Sequence, residues 1–160
     1  MEELLLEARE ELKRLEHIIY VTLKYTRTVD VLVNALQRLV DIYDLMIEAL
    51  LEKAKAEKLI DSLAKSPALR ARLVGELYAD DQQLLRYLCF YTFLKTLLNM
   101  KQQKREEFRR HVTLIVELEN NTTAEIKIDN LMNAERYMHK ILQSAWEKIV
   151  GKPKEEEDEI

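Results

Sequence analysis

Three histidines (His17, His111 and His139) and a group of arginines are the residues of this chain whose types and spacing could do chemistry. Glu107 and His111 stand four residues apart, as do Glu135 and His139. On a helix that spacing puts a carboxylate and an imidazole on one face. One such pair on each of two helices would offer the mixed oxygen and nitrogen donors that borderline metals accept. The Glu-x-x-His spacing of di-iron bundles is absent, and surface ion pairing is the plainer reading of both pairs. The expectation is therefore no metal site and no cofactor. The single cysteine, Cys89, admits no intramolecular disulfide and no zinc site built from several thiolates. Flanked by Leu88, Phe90 and Tyr91, it reads as a buried small hydrophobe. No phosphate-loop, dinucleotide-binding, zinc-protease or EF-hand pattern occurs.

The segment KQQKREEFRR (101–110) holds five basic and two acidic residues, a local charge of +3. Lys101, Lys104, Arg109 and Arg110 are its candidates for binding an anion or a nucleic acid. They follow an apolar helical run, so they are expected near a helix C-terminus, where cations are favoured with or without a ligand. No aromatic residues interleave with them to stack on bases, and Phe108 reads as packing. The motif YTRT (25–28) offers hydroxyls and an arginine near a helix start. It could hold a phosphate, and local capping explains it equally well.

Within REEFRRH (105–111), Arg105 and His111 are separated by five residues. This resembles the Arg-x(4–6)-His signature of the HEPN superfamily, small helical-bundle ribonucleases and toxin partners. The resemblance implies a metal-independent endoribonuclease in which Arg105 and His111 of two subunits converge at a dimer interface. It implies that they polarise a phosphate and assist attack by the ribose 2′-hydroxyl. His111 would accept the proton, and Arg105, Arg109 or Arg110 would hold the developing charge. Glu106 stands where that superfamily carries a small polar residue after its arginine.

The elements that must position these residues are mostly helical. The chain has only 2 Gly and 2 Pro among 160 residues, with 48% hydrophobic and 34% charged residues. That excludes loop-rich β-sandwiches and disordered chains and leaves one mainly α domain over 1–150. Leu5, Ala8, Leu12, Leu15, Ile19 and Thr22 predict an amphipathic helix over 2–24. Residues 24–30 then offer a break, with Thr26 or Thr28 as the cap. Leu32, Leu36, Leu39, Tyr43, Met46 and Leu50 predict a long helix within 29–64, running as far as Leu63. At 1.5 Å per residue it would span about 50 Å, against a radius of gyration of about 15 Å for a globule of this size. Such a helix either breaks or projects toward a partner chain; projection, with EKAKAEK (52–58) as the exposed part, is the expectation. Ser66-Pro67 predicts a restart over 67–78. Asp80 or Asp81 caps a helix over 81–104, whose run at 84–100 reads as the central core helix.

Period-two alternation in HVTLIVELE and TAEIKID, on either side of Asn120-Asn121, predicts a β-hairpin over 112–128. Two helices broken at the asparagines are the competing reading. A last helix is expected over 131–149, capped by Asp129 or Asn130 and stopped at Gly151. The architecture expected is an elongated bundle of long antiparallel helices with one inserted hairpin.

The net charge of −4 is uneven. The final ten residues contribute −3 and read as an acidic disordered tail (151–160). The body is nearly neutral, without the basic excess of a dedicated nucleic-acid binder. No stretch is long and apolar enough to span a membrane. The acidic amphipathic start does not resemble a signal peptide, so a cytoplasmic protein without a membrane partner is expected. The leading functional expectation is a non-enzymatic scaffold or interaction module that forms a homodimer through its long helices. RNA binding or cleavage by Arg105, His111 and the 101–110 segment is the alternative.

Overall fold

In the computed structural model, which describes residues 1–151, five further α-helices accompany one long central helix, together with a small antiparallel sheet. The acidic tail expected at 151–160 lies, beyond Gly151, outside the described residues.

The first amphipathic run forms α1 (Glu2–His17), a π-helical turn (Ile18–Thr22) and α2 (Leu23–Tyr25) in sequence. Leu5, Ala8, Leu12, Leu15 and Ile19 are buried as their spacing predicts. The stripe then continues at Leu23 instead of Thr22. The wider π turn accommodates one more residue per turn and moves the core position along by one.

Helix α3 (Val29–Ala56) is the shaft of the molecule: fourteen of its 28 residues are buried. It packs against α1, α4 (Pro67–Leu77), α5 (Gln82–Asn99) and α6 (Ile128–Ile149). Thr28 caps its start, Oγ1 accepting from the Val31 N–H at 3.3 Å. Its end falls earlier than the expected Leu63. Lys58 takes a left-handed conformation (φ 61°), and the Leu59 N–H closes onto the Ala54 carbonyl at 2.9 Å. That is a helix-terminating motif usually built on glycine. At 28 residues α3 is about 42 Å long. Of the expected exposed part, residues 55–58 are exposed while 52–54 are packed. Leu51 and Ala54 are buried, Glu52 pairs with the Met1 amine at 3.3 Å, and Lys53 bonds the Lys148 carbonyl. Met1 and the last turn of α6 pack along this end of α3, so the broad apolar stripe is covered within one chain.

Ser66 and Asp81 cap α4 and α5 as their residue types predict. The Asp81 carboxylate is also held at 2.6 Å by Lys148. That bond and the Leu84 N–H keep its pKa below the ordinary aspartate value. Helix α5 is not the central helix its composition suggests. One face (Leu84, Tyr87, Leu88, Tyr91, Leu94, Leu97) is buried, while Phe93 on the outer face is 45% exposed. Cys89, expected to be buried, is exposed on that outer face. Tyr43 on α3 donates to the Tyr87 carbonyl at 2.8 Å and sits 5.1 Å from the Tyr91 ring, which fixes α5 on α3.

After Asn99 the chain departs from the expected helix over 81–104. Residues Gln102–Arg105 form β1, which pairs with β2 (Thr113–Glu117), which pairs in turn with β3 (Thr123–Ile126). The expected hairpin is present as β2–β3, turning through Glu119–Asn121, with Leu114 opposite Ile126 and Val116 opposite Ala124. Leu114, Val116 and Ile126 face the core. β1 is an all-exposed edge strand carrying Lys104 and Arg105, a composition that discourages further strand pairing. Helix α6 starts at Ile128, where the Asn130 side chain accepts from the Lys127 N–H at 2.8 Å. No described helix is long and apolar enough to cross a membrane.

Candidate nucleic-acid interface

Two connections meet at one end of the shaft: 26–28, which leads into α3, and 106–112, which joins β1 to β2. Their backbones are joined by the Phe108 N–H donating to the Arg27 carbonyl at 2.6 Å. Glu107 reaches across to accept from the Val29 N–H at 3.2 Å. An acid from the sheet thus caps the α3 N-terminus beside Thr28, where negative charge is favoured. Lys104 Nζ lies 3.4 Å from Asp30 and 3.6 Å from Glu107, tying β1 to the same helix start. Val112 is fully buried, and Thr113 Oγ1 donates to the His111 carbonyl at 2.8 Å.

Anchored this way, the 106–111 loop turns its remaining side chains outward. Glu106 (φ 55°) and Phe108 (φ 64°) both occupy the left-handed region. That region is costly for an aromatic residue and is held only where the surroundings impose it. Phe108, expected to pack, is 76% exposed, and Tyr25 on the neighbouring connection is 85% exposed. These are the two most exposed large hydrophobic residues described.

The expected anion-binding residues separate into two groups. Lys104 is engaged by Asp30 and Glu107, and Arg105 Nη2 is held by Glu125 at 2.9 Å. Lys101, Arg109 and Arg110 are exposed and form no ion pair among the described residues. Lys24, exposed beside Tyr25, and half-buried Arg27 likewise form no ion pair among the described residues. The tip therefore presents Lys24, Arg27, Arg109 and Arg110 beside the exposed Glu106, with Asp30 and Glu107 shared by Lys104 at the adjoining helix start. The basic segment is not a helix end, so the helix dipole does not account for its cations.

Arg105 and His111 lie on a strand end and in a turn, and no hydrogen bond or ion pair joins them among the described residues. The i,i+4 pair expected of Glu107 and His111 does not form, because no helix runs between them. What the residue pattern concealed was the aromatic part of the tip. Tyr25 and Phe108 are 83 positions apart, and their segments are brought together by the Arg27–Phe108 and Val29–Glu107 contacts.

The arrangement offers two aromatic surfaces for base stacking and four cations for phosphate, held on two segments joined through the Phe108–Arg27 bond. Comparison of this chain with family models, with curated proteins and with solved structures finds no match to any of them.

Proposed function

We propose that the protein binds single-stranded nucleic acid at the tip formed by residues 24–28 and 106–111. The observation that carries this reading is the pairing of exposed Tyr25 and Phe108 with Arg27, Arg109 and Arg110, which lack acidic partners among the described residues. Stacking on a base recovers apolar area that both rings expose to water, and the cations meet the phosphates on either side. The reading is one of binding without cleavage. Arg105 is neutralised by Glu125, so it is not free to hold charge developing on a phosphate.

Fluorescence anisotropy with labelled RNA and DNA oligonucleotides tests this and separates the two sugars. Binding is expected to weaken with salt, with a log–log slope of about −2 to −3 for four phosphate contacts. Phe108→Ala and Tyr25→Ala are each expected to cost about 1–3 kcal/mol of affinity. Equal binding by the wild type and both variants would remove the tip from consideration. RNA recovered uncut after incubation would separate binding from the ribonuclease activity that Arg105 and His111 suggest.

A second reading, self-association as a scaffold, is favoured by the outer face of α5. Phe93, 45% exposed, lines the rim of a groove of about 580 Å³ together with Phe90, Leu94, Leu97, Ile126 and Tyr137. A face that carries both a knob and a groove can be self-complementary about a two-fold axis. The dimer contact would then lie on α5, since α3 is covered in its own subunit. Light scattering is expected to give twice the chain mass for the wild type and the chain mass for Phe93→Glu; a wild-type monomer at micromolar concentration would refute it.

A further inference from the structure

We propose that Glu16, Glu135 and His139 form a binding site for a divalent transition cation of the zinc class. It is separate from the tip and does not rest on the nucleic-acid reading. Glu16 comes from the last turn of α1, and Glu135 and His139 come from successive turns of α6. One ligand atom from each lies within 4.8 Å of the others.

The arrangement is unusual for simple ion pairing. His139 Nε2 is 2.9 Å from Glu16 Oε1 and also 2.9 Å from Glu135 Oε1. One ring nitrogen carries at most one hydrogen, so it cannot give a full hydrogen bond to both carboxylates. If that nitrogen is bare, its lone pair faces two anions. A cation shared by all three donors resolves both cases.

Glu135 keeps only 6% of its exposure, and it is the only charged residue among the buried ones described. Its other contact is the Tyr20 hydroxyl at 3.4 Å. No lysine or arginine pairs with Glu16 or Glu135 among the described residues. Beyond His139 and Tyr20 nothing described compensates this buried carboxylate, and a bound cation would.

The approach is open. Glu16 and His139 line a cleft of about 340 Å³ between α1 and α6, which leaves room for waters to complete the coordination; of the two cations that also line it, Arg9 lies over the Trp146 ring and Lys13 pairs with Glu10. Two carboxylate oxygens and one imidazole nitrogen suit a borderline ion, and three protein ligands leave positions for solvent. The π turn begins two residues after Glu16 and sets Tyr20 against Glu135; such turns recur where a helix is adapted to a site.

Titrating Zn²⁺ into the full chain by calorimetry, with Co²⁺ as a visible-absorption probe, tests the assignment. One ion per chain is expected, with cobalt ligand-field bands. His139→Ala and Glu16→Gln are each expected to weaken Zn²⁺ binding by about tenfold or more. His111→Ala, at an exposed histidine elsewhere, is expected to leave it unchanged. Circular dichroism of the two site variants keeps misfolding from passing as lost affinity, since both positions are at least partly exposed. Absence of saturable binding up to about 100 µM ion, or binding that both site variants leave unaltered, would overturn the proposal. In that case His139 does no more than bridge two carboxylates.

Discussion

Arg109→Glu combined with Arg110→Glu is expected to reduce oligonucleotide affinity by about a hundredfold or more at moderate salt and to flatten the salt slope by about 1.4. Two phosphate contacts are lost, and two negative charges are placed where the backbone would run. The fold should be unaffected, because both residues are exposed and pair with no acid among the described residues. Anisotropy titrations over a range of salt, with thermal unfolding run alongside, check both halves. A double reversal that binds as tightly as the wild type would show that the phosphates lie elsewhere. Lys104→Glu is the instructive contrast. It would set an acid against Asp30 and Glu107 at the start of α3, so its effect should appear in unfolding as well as in binding.

Leu39→Ala is expected to destabilise the protein by about 2–5 kcal/mol, the range for removing three heavy atoms from a site that cannot collapse. Leu39 is fully buried near the middle of α3, the helix that packs against α1, α4, α5 and α6. A cavity there is bordered by several elements at once, and none can close it without leaving its other contacts. Urea unfolding should show a lower midpoint with an unchanged slope. Since domains of this kind are stable by only about 5–15 kcal/mol, such a loss would take a large part of the total. A change below about 1 kcal/mol would mean that the shaft repacks more freely than its burial implies.

Most of the helical framework was legible because periodic apolar residues report directly on burial. Leu5, Ala8, Leu12 and Leu15, the α3 stripe, the Ser66-Pro67 start and the Asp81 cap all act through neighbours within one or two turns. The hairpin was legible for the same reason, since alternation and the paired asparagines are local signals. The misreadings share a different origin. The end of α3 is set by Lys58 in a conformation that its residue type does not advertise. The apolar breadth of α5 suggested a central position, yet one face is left outward with Cys89 and Phe93. Residues 101–105 carry no strand signal of their own, and they become β1 only because β2 offers an edge. The candidate site was legible in part. The excess of positive charge at 101–110 stands out in the sequence, but its sorting into paired and unpaired cations depends on Asp30, Glu107 and Glu125. Phe108 was read as packing because nothing local shows that its backbone is turned outward.

The closing contacts of the tip also bear on the order in which the protein acquires its properties. The Phe108–Arg27 bond joins positions 81 apart, and the Glu107–Val29 bond joins positions 78 apart. Contacts of such sequence separation form late, after the loop-closure entropy has been offset elsewhere. α1 and the first part of α3 can assemble on a nascent chain while Tyr25 still stands alone. Only when β1 and the following loop have emerged and docked does the segment carrying the second ring join the segment carrying the first. A chain interrupted before residue 108 would keep most of the shaft and half of the aromatic surface. The binding tip is thus a property of long-range docking, absent from any chain interrupted before the 106–111 loop.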